Sequence, residues 1–237
     1  MTFVSSMIII RFLDYEDEPL ILLAQLVQED FIILEYDEKE DCWRFASGFA
    51  AFSFVEIGIN GERSFMKPGA DVATIHKPVP GFNPNIYKQV SNYFKALKGD
   101  NAFWRANWFV TPLEGISPFE QEILEGGDTE ERTRADGLDD QTLSSHALVD
   151  LGTKPISELA VRTEYQTIFK LPSSGCLVFG IHTYIDPLES MASSPKAAAM
   201  VGRTTENMDK MTLKYRGINK ECQDNIVKYC YQLAKNM

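Results

Sequence analysis

Arg162, Glu164 and Gln166 occupy alternate positions in VRTEYQTIFK, a stretch that otherwise reads as a β-strand. Side chains alternate between the two faces of a strand, so a guanidinium, a carboxylate and an amide share one face. Such a trio can bind a substrate amine or anchor a carboxylate of a cofactor. The same pattern also arises on a solvated sheet face. After Pro172-Ser173-Ser174-Gly175 the chain resumes as CLVFGIHTYI, so 161–170 and 176–185 are expected to pair as a β-hairpin. Whether His182 and Tyr184 join the trio depends on register. With Arg162 opposite Asp186, Glu164 faces Tyr184 and Gln166 faces His182. A shift by one residue sends His182 and Tyr184 to the opposite face.

Three further residues offer similar chemistry: Arg105, Asn107 and Trp108 in FWRANWF. A guanidinium fork suits a carboxylate such as a haem propionate. The alternative is an arginine that snorkels to water. His76 lies in ATIHKPVPG, where Pro78 and Pro80 restrict the backbone just after it. A neutral imidazole on a stiff segment suits an axial ligand of haem iron, and it also suits a plain hydrogen bond to a neighbouring carbonyl. His182 sits mid-strand, and His146 lies near an acidic run and is expected to be exposed.

These residues must be positioned by a mixed set of elements. Residues 19–35 read as a helix followed by the strand around FIIL. Residues 42–58 read as a strand interrupted at Gly48. The stretch from Asn60-Gly61 to Pro84 reads as loop, and 84–98 as a helix stopped at Gly99. FWRANWFVTPL reads as a strand. Residues 188–211 read as helix broken at Ser193-Ser194-Pro195, and 219–235 as a C-terminal helix with Ile226, Tyr229, Cys230 and Leu233 on its apolar stripe.

The chain has 237 residues, enough for a sizeable core, with 44% hydrophobic and 24% charged residues. A formal charge of −11 argues against nucleic acid or an anionic membrane surface as partner. No apolar run approaches the roughly 20 residues a membrane helix needs. The four cysteines show no CxxC spacing and no Cys/His cluster for zinc. Scattered thiols suit a reducing compartment, so the cytoplasm is expected. No Walker loop, GxGxxG, GxSxG or HExxH is present. An acidic loop or insertion is expected at about 114–145, and it lacks the spacing of a calcium loop.

VQEDFIIL, ATIHKPVPGF, WRANWF, the long hairpin VRTEYQTIFKLPSSGCLVFGIHTYIDPL and KYRGI occur in the order and spacing of a known pattern. In these segments the chain resembles the haem-dependent oxidative N-demethylase-like family. The resemblance covers 23–237, leaving 1–22 as a divergent N-terminal segment. It implies an α+β fold, a PAS-like antiparallel sheet with flanking helices that holds haem b. It implies a monooxygenase-like oxidoreductase that demethylates a small amine, using O2 and electrons from a flavin/iron–sulfur reductase. It implies His76 as the iron ligand, with Arg105 and Arg162 pairing haem carboxylates. Asn107, Trp108, His182 and Tyr184 would complete the cofactor environment, His182 standing where the family pattern carries arginine. Glu164 and Gln166 would border the distal pocket, the carboxylate holding a cationic amine. A non-catalytic PAS-like haem or ligand sensor, or an inactive paralogue, is the alternative.

Overall fold

The computed structural model describes residues 19–49, 55–57, 63–65, 67–77, 79–82, 86–99, 101–113 and 151–235. In chain order its elements are helix α1 (Pro19–Leu26) and strands β1 (Asp30–Asp37), β2 (Cys42–Phe49), β3 (Val55–Ile57) and β4 (Arg63–Phe65). Helices α2 (Val72–Ile75) and α3 (Tyr87–Ala96) lead to β5 (Ala102–Pro112). The hairpin β6 (Leu159–Lys170) and β7 (Leu177–Pro187) precedes α4 (Pro195–Glu206), α5 (Lys210–Tyr215) and α6 (Lys220–Ala234). A five-stranded sheet runs β2-β1-β7-β6-β5, each neighbouring pair antiparallel, and β3 and β4 form a separate ribbon. This is the α+β architecture expected from the sequence, with helices flanking an antiparallel sheet. No described helix is long and apolar enough to cross a membrane.

Two cores form on opposite faces of the sheet, at opposite ends of β6. Ile168, Leu177, Leu34, Trp43 and Phe45 pack on one face beneath Val72 and Ile75 of α2 and Phe94 of α3. Leu159, Val161 and Val110 pack on the other face beneath Val201 of α4 and Ile226 and Cys230 of α6. The alternation of β6 explains the division: its even-numbered residues point to the first core and its odd-numbered ones to the second. The three tryptophans divide likewise. Trp43 is buried in the first core and Trp108 packs against the second, while Trp104 lies exposed on the face of the second.

Gly48 does not interrupt β2. The strand runs through it to Phe49, and a Cβ at Gly48 would meet the Phe31 carbonyl oxygen at 2.4 Å. Glycine here permits the close approach of β2 to β1. The expected loop between Asn60 and Pro84 contains β4 and α2. The Asp71 side chain caps α2 by accepting from the Thr74 amide, a local signal hidden among turn residues. The break before α4 falls at Ser194, with Pro195 as the first helical residue. The acidic run 114–145, His146, Pro78 and residues 1–18 lie outside the described residues.

Candidate ligand-binding site

The hairpin register decides which predicted residues meet. β6 and β7 pair so that Arg162 opposes Ile185, Glu164 opposes Thr183 and Gln166 opposes Ile181. On the other side, Gln166 opposes Arg105, Glu164 opposes Asn107 and Arg162 opposes Phe109. The face that carries the trio therefore also carries Arg105, Asn107 and Thr183. His182 opposes Tyr165 and Tyr184 opposes Thr163, on the opposite face together with Trp108. Of the two registers open from sequence, the structure adopts the one that separates His182 and Tyr184 from the trio.

A directed chain of hydrogen bonds runs along the polar face. Arg105 Nε donates to Gln166 Oε1 at 2.6 Å, and Gln166 Nε2 donates to Glu164 Oε2 at 2.9 Å. Arg162 Nη2 lies 3.0 Å from Glu164 Oε1. Arginine has only donors, so both ends of the chain point inward, and the Gln166 amide has one orientation that satisfies both neighbours. Both Glu164 oxygens accept, which is the bonding of a carboxylate. Gln166 is 5% exposed, so the link between the two charged groups is sheltered from water. Burial pushes the Arg162 guanidinium below its ordinary value, while Glu164 and Asp30 pull it back and Arg216 opposes them. It remains a cation at neutral pH. Arg162 and Arg216 both lie over the Phe109 ring, at 5.3 and 4.2 Å from its centroid.

Two buried neighbours on this face gave no clear signal in the sequence. Asp30, which opposes Ile181, is 6% exposed. Its position directly before FIIL was the one cue. The Thr183 hydroxyl is buried and has no hydrogen-bond partner among the described residues. It sits between the two residues that the sequence picked out, His182 and Tyr184, so alternation puts it on the face opposite theirs, and the hairpin register then sets it with the trio. A buried polar atom without a partner costs free energy unless something else satisfies it.

His76 closes α2, whose Val72 and Ile75 cover the same sheet face through Ile168, Leu177 and Phe179. Ile168 follows Gln166 on that face, so the histidine-bearing segment and the polar chain are neighbours along β6. His76 Nδ1 lies 2.9 Å from the Val72 carbonyl oxygen. A carbonyl only accepts, so Nδ1 carries the proton, and in the neutral ring the lone pair is on Nε2. The ring stacks on Phe82 with centroids 4.3 Å apart and planes 20° apart. The Val79 amide donates to the His76 carbonyl and closes the turn that follows. Among the described residues no three His, Cys, Asp or Glu side chains converge as a metal cluster. A lone, oriented imidazole suits a metal that brings its own equatorial donors, as a porphyrin does.

The remaining sequence candidates have other surroundings. Asn107 is exposed, and its side-chain oxygen accepts from the Trp108 amide at 3.0 Å. Trp108 packs against the second core. His182 Nδ1 lies 3.1 Å from Glu29 Oε1, and its ring lies 4.4 Å from that of Tyr184.

The chain thus combines an α+β fold with a polar chain fixed between arginines and an oriented imidazole on the same side of its antiparallel sheet. The chain belongs to the family described as haem-dependent oxidative N-demethylase, alpha subunit-like, which matches residues 5–226.

Proposed function

We propose that this chain is the haem-binding subunit of an oxidoreductase that removes a methyl group from a small amine, with O2 as oxidant and electrons from a separate flavin/iron–sulfur protein. The observation that carries this reading is His76: its Nδ1 is committed to Val72, and its segment covers the sheet face that bears the Arg105–Gln166–Glu164–Arg162 chain. Haem b, when bound, would supply one-electron and oxygen chemistry that no side chain provides. His76 would hold the iron through Nε2. Arg105 and Arg162 would pair with the carboxylates of the cofactor, and Asn107 would add a donor beside Arg105.

Glu164 and Gln166 have a more constrained role than a free acid and amide. Both carboxylate oxygens are occupied, so a cationic amine is received only by exchange for one of the two donors. The neutral Gln166 amide is the weaker of the two and the easier to displace. The Thr183 hydroxyl lies opposite Glu164 and can bond the incoming nitrogen or its carrier. His182 and Tyr184 would act from the reverse face, without contact to the same ligand. The saturation of Glu164 equally favours ligand holding without turnover, as in a sensor. The four cysteines, none of them in a disulfide among the described residues, fit a reducing compartment such as the cytoplasm.

Reconstitution with haem tests the reading. Wild-type protein is expected to show an intense Soret band after removal of free haem. His76→Ala is expected to lose it and His182→Ala to keep it. The reverse pattern reassigns the ligand, and no band in any form overturns the proposal. Amine-dependent O2 consumption with an added reductase then separates an enzyme from a sensor.

A further inference from the structure

Arg216 caps the C-terminal end of α5 and is half-buried. Its guanidinium lies over the Phe109 ring at 4.2 Å and over the Tyr215 ring at 5.3 Å. Phe109 opposes Arg162 in the sheet, and Arg162 lies over the same ring at 5.3 Å. A third guanidinium thus stands beside the Arg105–Gln166–Glu164–Arg162 chain. Resting on the reading of the chain as an amine demethylase, we propose that its substrate is an N-methylated amine that also bears a carboxylate, an N-methyl amino acid, and that Arg216 receives this carboxylate.

Arg105 donates to Gln166, and Arg162 pairs with Glu164. No carboxylate pairs with Arg216 among the described residues. The rings beneath it attract a cation but do not neutralise it. Its charge also weighs on Arg162, whose protonated form it disfavours. An anion bound at Arg216 relieves both costs. A guanidinium presents paired N–H donors that match the two oxygens of a carboxylate.

The two ends of such a substrate meet opposite charges. Its ammonium exchanges for the Gln166 amide at Glu164, and its carboxylate reaches Arg216 beside Arg162. Glu164 and Arg162 stand two residues apart on β6, about 7 Å along the strand. A small amino acid with a hydrogen bond of about 2.8 Å at each end covers such a distance. A plain methylamine would leave Arg216 without a counter-charge and add a second cation beside it. The reaction balances with the co-reactants already named. One atom of O2 goes to the methyl carbon, which is oxidised and leaves as formaldehyde when its bond to nitrogen breaks. The other atom is reduced to water by two protons and by two electrons from the reductase, and the primary amino acid is released.

Saturation-transfer NMR on the full chain, with and without haem, tests the assignment. The probes are N-methylglycine, its longer homologue N-methyl-γ-aminobutyrate, and dimethylammonium. Wild-type protein is expected to bind at least one of the two amino acids roughly tenfold more tightly than dimethylammonium. Arg216→Gln is expected to abolish that preference by weakening the amino acid, while dimethylammonium binds as well or better because a like charge is gone. Arg216→Lys keeps the charge without the fork and is expected to fall between the two. The opposite response of the two kinds of probe is one that misfolding cannot produce. Binding of no probe, or dimethylammonium bound as tightly as the amino acids by wild type, overturns the proposal. So does equal weakening of all probes in Arg216→Gln. Loss of the Soret band in Arg216→Gln assigns the arginine to the cofactor and also overturns it. A wild-type chain that holds no haem yet keeps the preference removes the demethylation reading and leaves Arg216 as the carboxylate partner, so the two failures are distinguishable.

Discussion

Gln166 links two charged groups that do not touch each other. Arg105 needs an acceptor and Glu164 needs a donor, and the Gln166 amide supplies both from one side chain, the oxygen to one and the NH2 to the other. Gln166→Glu keeps the shape and the bond to Arg105 but places two carboxylates side by side. Like charges raise the value of one of them in the folded state. The variant is expected to be less stable than wild type by roughly 1–3 kcal/mol at neutral pH. A carboxyl raised on folding binds its proton preferentially in the folded state, so the deficit should narrow as pH falls through that raised value. Urea midpoints measured across an acid-to-neutral series check this, and a deficit that stays constant with pH would contradict it. The trio itself was legible in the sequence, because period-two alternation needs only one strand. The role of Gln166 was not, because its partner Arg105 lies 61 positions away and on another strand.

At the scale of elements, the position of His76 depends on a four-residue helix. Such a helix is too short to be stable by propagation and relies on its cap and its packing. Burial alone would raise the Asp71 carboxyl, but the Thr74 hydroxyl and the Thr74 and Ala73 amides together hold it below its ordinary 3.8. A carboxyl lowered on folding stabilises the fold above its unfolded value, and that contribution is lost as pH falls through the folded value. Asp71→Ala is therefore expected to cost about 1 kcal/mol at neutral pH. The cost should vanish in acid, where wild type also loses the charged cap. Denaturation midpoints check the stability, and haem retention checks whether the cap holds the His76 turn in place. The register of the hairpin belongs to this scale too. Lys170 pairs with Leu177, and the connection is closed by the Leu171 amide on the Cys176 carbonyl at 2.8 Å. One residue more or less in that connection decides the face of His182 and Tyr184. The apolar residues of β7 fall mainly in one row, Leu177, Phe179, Ile181 and Ile185, and the structure sets that row on the face of Arg162, Glu164 and Gln166, so matching the apolar rows of the two strands would have chosen the other register.

The whole molecule places its two hydrophobic cores on opposite faces of one sheet and threads β6 through both. The helices and strands that build them were readable from periodicity, except for β4 and α2, which turn residues concealed, and α5, most of which lies beyond the helix expected to end at 211. The division into two cores was not, because it follows from how β6 is covered at each end rather than from β6 itself. A consequence lies in the optical properties of the chain. Its three tryptophans occupy three different places: Trp43 is 1% exposed in one core, Trp108 packs against the other, and Trp104 is 67% exposed on the sheet surface. Variants retaining one indole each, the other two replaced by phenylalanine, would report on each place by its fluorescence. Trp104 should emit furthest to the red and be quenched by iodide, and Trp43 should resist the quencher. Because a single strand crosses both cores, the Trp43 and Trp108 signals should change at one shared denaturant midpoint. Two separate midpoints would reveal that the halves of the molecule melt independently.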